Sequence, residues 1–163
     1  MNIHSDYVID IQNNYPSNST LEVPGVSQLE AWSQAVFKHE KLAEAELTLR
    51  LVDEAEIQAL NKRYRGKDKP TNVLSFPADI PAGVALDLPF LGDIILCVPV
   101  IYQEAHEQKK TVPAHWAHIV IHGILHLLHY DHINDHDAAI MEEKEILILK
   151  SLNINNPYSD DEE

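Results

Sequence analysis

Three histidines in one short stretch, His122, His126 and His132, follow the spacing H-x3-H-x5-H within an otherwise apolar segment, His122-Gly-Ile-Leu-His126-Leu-Leu-His129-Tyr-Asp-His132. Residues four apart on a helix share a face about 6 Å apart along the axis, so the first two imidazoles can aim at one point. The third lies roughly 240° further around a straight helix and joins them only if the chain turns back after Leu128. Three nitrogen ligands with a fourth position open is the arrangement of a catalytic zinc ion; structural zinc sites are closed by four protein ligands. A buried imidazole without a partner costs about 1–3 kcal/mol, and a shared cation satisfies all three rings at once.

The same spacing occurs in the protease signature H-E-x-x-H-x-x-G-x-x-H, whose glutamate takes the proton from the attacking water. Here Gly123 stands in the place of that glutamate and His129 in the place of the internal glycine. Glycine cannot act as a base, so the ligand geometry is shared while peptidase chemistry is unsupported. His118 and His115 lie on the same helical stripe, one and two turns before His122. Orienting a ligand and filling space are equally open to both.

The elements that must position these residues read as an α/β (α+β-like) chain with a small mixed sheet of about four strands covered by about five helices. Alternating apolar and polar residues mark strands at Tyr7–Gln12 and Glu46–Val52. A short strand is expected over Asn72–Pro77 and an apolar one over Leu91–Cys97, with a loop around Pro81 and Gly83 between them. Helices are expected from Ser27 as N-cap to about Lys41, and from Asp53 as N-cap to about Tyr64. Three more follow: Pro99 to Lys109-Lys110, a segment opened by Pro113 that carries the histidines, and Asp135 as cap to about Leu152. The histidine helix is apolar on nearly every side, so it belongs at the centre against the sheet, with its polar stripe opening into a cleft.

At 163 residues one domain is expected over 1–158, followed by an acidic tail, 159–163, that frays. No apolar run is long enough to span a membrane, and no basic region followed by an apolar core marks a leader at the N-terminus. The lone Cys97 sits in an apolar strand and reads as a buried, inert thiol of a reducing cytoplasm. The formal net charge of −14 argues against a general nucleic-acid binder. Yet Lys62, Arg63, Arg65, Lys67 and Lys69 are five of the chain's twelve basic residues, opposed locally only by Asp68. Such a strip can hold a polyanion where the rest of the body repels it. A solvated loop is the plain alternative.

Three blocks of the chain resemble the YbeY family of bacterial rRNA-maturation endoribonucleases. Leu60-Asn-Lys-Arg-Tyr64-Arg65-Gly66-Lys-Asp-Lys69-Pro70-Thr-Asn72-Val-Leu-Ser-Phe76-Pro77 is similar to the family's central motif, and Leu91-Gly92-Asp93-Ile94 to its strand motif. The stretch from His115 to His132 is similar to its metal motif, H-G-x-L-H-L-x-G-Y-D-H. The resemblance spans about residues 46 to 158. It implies one zinc or other divalent ion per chain held by His122, His126 and His132, and a catalytic Arg65. It also implies single-strand-specific cleavage of ribosomal RNA on the small subunit, at the 3′ end of 16S rRNA, together with ribosome quality control. No DNA and no membrane partner is expected.

On that reading Arg65 hydrogen-bonds the scissile phosphate, and Lys62, Arg63, Lys67 and Lys69 hold backbone phosphates. Asp131 either caps the turn or accepts from a ligand's second N–H, and Asp93 either supports the site or serves a turn. The chain departs from the motif at His129, where the family has glycine. That residue strains the turn, brings a fourth nitrogen to the ion, or points into solvent.

Overall fold

The computed structural model describes residues 6–158 except 17, 80–82, 84–88 and 132. Among these residues are four strands and five helices: β1 (Tyr7–Asn13), α1 (Val26–His39), β2 (Ala45–Val52), α2 (Glu54–Arg65), β3 (Val73–Pro77), β4 (Phe90–Cys97), α3 (Val98–Glu107), α4 (Val112–Leu127) and α5 (Asp135–Ser151). The expected mixed sheet and five helices are present. The strands lie in the order β1-β2-β4-β3. β1, β2 and β4 run parallel, and β3 is antiparallel to β4 at one edge.

Side-chain alternation divides the core between the two faces of the sheet. Leu47, Leu49, Leu51, Ile94 and Leu96 point to the side covered by α1, α4 and α5. Val52, Ile95 and Cys97 point the other way, onto Ile57 of α2. Between Glu46 and Leu47 the β2–β4 register skips Leu91, so Gly92 stands opposite Leu47. Gly92 has φ +142°, and a Cβ there would lie 2.2 Å from the Phe76 carbonyl oxygen. The bulge therefore requires glycine, and Asp93 sits within β4 rather than at a turn.

Two helix starts differ from the expected caps. The N-cap of α1 is Gly25, whose N–H donates to Gln28 Oε1 at 3.0 Å, so Ser27 is already helical. The N-cap of α5 is Asn134, whose side chain accepts from the Asp137 N–H at 2.8 Å, one residue before Asp135. Short polar side chains compete closely at helix starts, and neighbouring candidates are hard to separate from sequence. Asp53 caps α2 as expected, accepting from the Glu56 N–H. The α3 helix ends at Glu107, before Lys109.

Four helices end the same way. After α1, α3, α4 and α5, a residue with positive φ (Lys41, Lys109, His129, Asn153) sends its N–H three residues back, and the next N–H reaches five back. This is the Schellman ending, usually built on glycine. With five glycines in the chain, lysine, histidine and asparagine fill those places.

The α4 helix is the central element, packed against α1, β3, α3, α5 and β4. Eleven of its sixteen residues are buried. Its close approach to the sheet rests on Gly123, where a Cβ would meet Ile94 Cγ2 at 3.2 Å and Val73 Cγ2 at 3.3 Å. The Ser75 hydroxyl donates to the Gly123 carbonyl at 3.0 Å across the same contact. A glutamate at this position would press into the sheet. Gly123→Val is expected to cost about 1–3 kcal/mol by overpacking, read as a lowered midpoint in urea unfolding.

Candidate active site

The polar stripe of α4 opens beside the edge strand. His122 and His126, Tyr64 and Arg65 at the end of α2, residues 71–77 through β3, and His129, Tyr130 and Asp131 after α4 line a cleft of about 760 Å³. Asp53 starts α2. Gly66 ends it in the left-handed region at φ +71°, its N–H returning to the Lys62 carbonyl at 3.1 Å. Arg65 is thus the last helical residue, delivered to the cleft wall at the point where the chain must reverse.

The basic segment that follows is pinned from within α2. Asn61 Nδ2 donates to the Lys69 carbonyl at 2.9 Å and Gln58 Nε2 to Asp68 Oδ1 at 3.0 Å. Lys62, Arg63, Lys67 and Lys69 are exposed beside the cleft and do not line it. Lys62 lies 3.9 Å from Asp68, and the Arg63 guanidinium sits over the Tyr64 ring at 5.3 Å.

His122 and His126 meet as the spacing requires, with Nε2 atoms 3.1 Å apart. Two imidazoles bound to one tetrahedral zinc ion at about 2.0–2.1 Å place their nitrogens ~3.3 Å apart, close to this separation. His132 lies outside the described residues. Among the described residues no cluster of three or more His, Cys, Asp or Glu side chains forms a metal site.

The residue that sequence reasoning missed is Glu145. It projects from α5 beneath the histidine stripe and is fully buried. Its Oε2 lies 2.6 Å from His122 Nδ1 and its Oε1 lies 2.8 Å from His118 Nε2; the Tyr158 hydroxyl also donates to Oε1. Burial alone would raise the carboxyl's pKa, but the bonds from His118, His122 and Tyr158 outweigh it and hold the group at about 2. The carboxylate is therefore ionised and can only accept. It follows that Nδ1 of His122 carries a proton, which in the neutral ring leaves the lone pair on Nε2, facing His126. A carboxylate behind a histidine is the arrangement that fixes the ring and tautomer of a metal ligand.

The charge balance supports the same fit. Among the described residues the partners of Glu145 that can carry positive charge are imidazoles, and buried charges are paired or coordinate metals. The donor set thus suits a divalent ion. A signal for Glu145 does exist in the sequence, since it falls on the buried stripe of α5 shared by Met141, Ile148 and Leu149.

His118 and His115 prove to be hydrogen-bonded, each to a carboxylate. His115 Nε2 contacts Glu104 Oε1 at 2.9 Å, and the Asn72 amide reaches the same oxygen at 3.1 Å. These contacts hold the Glu104 carboxyl below its usual range despite its burial. Asp131 is exposed on the cleft wall, and Asp93 does not line the cleft.

His129 is exposed on the wall, with φ +75°. Its N–H bonds the His126 carbonyl at 2.9 Å, and the Tyr130 N–H bonds the Leu125 carbonyl at 3.0 Å, so the chain leaves the helix directly after the histidine pair. The Tyr130 hydroxyl then donates to Glu40 Oε1 at 2.5 Å, and Lys144 holds Oε2 of the same carboxylate at 3.0 Å.

This small α/β fold, with two imidazole nitrogens converging in a cleft that an arginine also lines, can support cation-assisted chemistry on an anionic substrate. Comparison with known proteins makes the assignment specific. The family model described as Endoribonuclease YbeY matches residues 12–153. Over 157 residues the chain is 50% identical to Endoribonuclease YbeY of Alteromonas mediterranea, an alignment covering 95% of this chain and 98% of that one. The solution structure of TM1509 from Thermotoga maritima is similar with a TM-score of 0.57 at 26% identity, over 94% of this chain and 97% of that one. The chain belongs to the YbeY endoribonuclease family.

A left-handed conformation costs a non-glycine residue roughly 1–2 kcal/mol, part of which glycine returns through the entropy of its unfolded chain, about 0.5–1 kcal/mol. His129→Gly is therefore expected to raise stability by up to about 1 kcal/mol, measured by chemical unfolding of the metal-free protein.

Proposed function

We propose that this chain is a single-strand-specific, metal-dependent endoribonuclease that matures ribosomal RNA at the 3′ end of 16S rRNA and takes part in ribosome quality control. The observation that carries the proposal is the 3.1 Å approach of His122 Nε2 and His126 Nε2 in a cleft that Arg65 also lines. His122, His126 and His132 would hold the ion, and zinc suits three imidazoles best. When bound, the ion supplies Lewis acidity toward a phosphoryl oxygen and lowers the pKa of water to about 7.

The protein's own groups do the rest. Glu145 keeps His122 in one tautomer and orientation. Arg65 offers two parallel N–H donors to the non-bridging oxygens and offsets charge as the phosphate becomes five-coordinate. Lys62, Arg63, Lys67 and Lys69, exposed beside the cleft, hold the flanking backbone phosphates. The Tyr64 ring is 57% exposed and meets Phe76 edge-on at 5.3 Å. The exposed Tyr64, backed by the half-buried Phe76, offers a stacking surface to unpaired bases, which a duplex keeps inside its own stack. The partner is then the small ribosomal subunit in the cytoplasm. Among the described residues no helix is long and apolar enough to cross a membrane.

Incubating zinc-loaded protein with single-stranded RNA, duplex RNA and casein tests the reading; cleavage confined to single-stranded RNA is expected. Products ending in 5′-phosphate and 3′-hydroxyl would assign the attack to water, and a 2′,3′-cyclic phosphate would assign it to the RNA's own 2′-hydroxyl. Arg65→Ala is expected to lose about 10²–10³ in rate while its metal content, by elemental analysis, stays at the wild-type level. RNA affinity should fall steeply with salt, and the slope of log K against log[salt] should shrink by about 0.7 for each of Lys62, Arg63, Lys67 and Lys69 replaced by alanine. An unchanged slope would remove those side chains from the phosphate contacts.

A further inference from the structure

The chain beyond α5 returns to the site by a defined route. Leu152 caps α5, and Asn153 takes φ +62°. The Asn153 and Ile154 N–H groups bond the Lys150 and Leu149 carbonyls at 3.0 and 2.9 Å. This Schellman ending reverses the chain, and an Asx turn, with the Tyr158 N–H donating to Asn156 Oδ1 at 2.8 Å, sets the next bend. The result brings Tyr158 back to Glu145, thirteen residues earlier.

There the phenol does two things. Its hydroxyl donates to Glu145 Oε1, beside the bond from His118 Nε2. Its ring stands edge-on to His118, centroids 5.3 Å apart and planes at 84°. With Pro157 it walls a second pocket of about 320 Å³, which His122 also lines. His118 Nδ1 is buried and makes no hydrogen bond among the described residues. Neutral His118 therefore carries its proton on Nε2, as a donor to Oε1. Oε1 thus takes two donors, and Oε2 is presented to His122 Nδ1.

We propose that Tyr158 is a positioning residue for the metal ligand His122: by holding Oε1 together with His118, it fixes the orientation in which Glu145 presents Oε2 to Nδ1 and so keeps the Nε2 lone pair of His122 directed at His126. The inference rests on the reading of His122 and His126 as metal ligands. The phenol's own proton is secure in this role, because burial and the adjacent carboxylate push its pKa well above the usual range. A group acting on a ligand from behind typically changes metal affinity 10–100-fold when removed. Tyr158, one step further back than Glu145, should fall at the lower end of that range.

The test uses full-length protein and zinc alone as the probe. Zinc affinity is measured against a competing chelator for wild type, Tyr158→Phe and Glu145→Gln. The tautomer of His122 is read in the metal-free proteins from the ¹⁵N chemical shifts of its ring. Expected are about a tenfold loss of affinity in Tyr158→Phe, a larger loss in Glu145→Gln, and a His122 ring that changes from a single Nδ1–H tautomer to an exchanging mixture in both. A purely structural tyrosine would lower the unfolding midpoint and move neither readout. Zinc affinity in Tyr158→Phe within twofold of wild type, with the Nδ1–H tautomer retained, would overturn the inference. Should Tyr158→Phe fail to fold, Tyr158→Met, which also lacks the hydroxyl donor to Oε1, serves in its place, with retained affinity and tautomer again the overturning result. Wild-type protein that binds zinc but cuts no RNA would defeat the nuclease reading and leave this inference standing.

Discussion

The site depends on a buried negative charge. Glu145 has no lysine or arginine within reach among the described residues, and its oxygens are met by two imidazoles and a phenol. A carboxylate taken out of water this way costs several kcal/mol unless its hydrogen bonds and a nearby positive charge offset the loss. The hydrogen bonds are present; the positive charge must come from an imidazolium or from a cation on the far side of His122. Because the carboxylate ties α5 and the segment ending at Tyr158 to α4, charge compensation at the ligands and packing of the last third of the chain are one problem. A cation bound by His122 stabilises both.

The sheet imposes a complementary limit. Gly123, next to His122, rests against Ile94, Val73 and Ser75, so the helix face one residue from His122 is committed to packing. The proteolytic signature that this stretch resembles needs a glutamate at that place, and here the sheet occupies the space. Any acid–base or charge-stabilising group would therefore have to come from other elements; the end of α2 brings Arg65 to the cleft wall. Ser75, on β3, hydrogen-bonds the Gly123 carbonyl directly, tying the strand that walls the cleft to the helix that carries His122 and His126.

Much of this was legible in the sequence. The first two strands declared themselves by alternation, and β4 by an apolar run whose residues are buried on both faces of the sheet. The central helix declared itself by being apolar on every side. His122 and His126 were legible because their spacing is local, within one turn of helix. Arg65 was legible through its motif, and the structure gives the physical reason for its place: Gly66 ends the helix there. Glu145 was not, since its partners lie 27 and 23 residues away and Glu142 and Glu143 beside it look the same in composition. Only its position on the apolar stripe of α5 separates it from them. The caps were misplaced by one or two residues at Gly25 and Asn134 because several short polar side chains stand together, and the backbone chose by tertiary fit.

His129 shows what the fold accepts to place its histidine pair. The chain must leave α4 soon after His126 for Tyr130 to reach Glu40 and for Asp131 to line the cleft. A Schellman ending achieves that reversal in two residues, and its first residue has to adopt positive φ. Glycine would do so without strain; histidine does so at a cost, but tolerates it better than a β-branched residue would. The cost is met by the anchors on either side. Tyr130 is held by Glu40, itself held by Lys144 of α5, and Leu125 is fully buried in the core. The strained residue is therefore gripped between two fixed points, and its exposed ring lines the cleft, one turn from His126. Strain at this turn and the placement of His122 and His126 have the same origin, a helix that must stop soon after the pair.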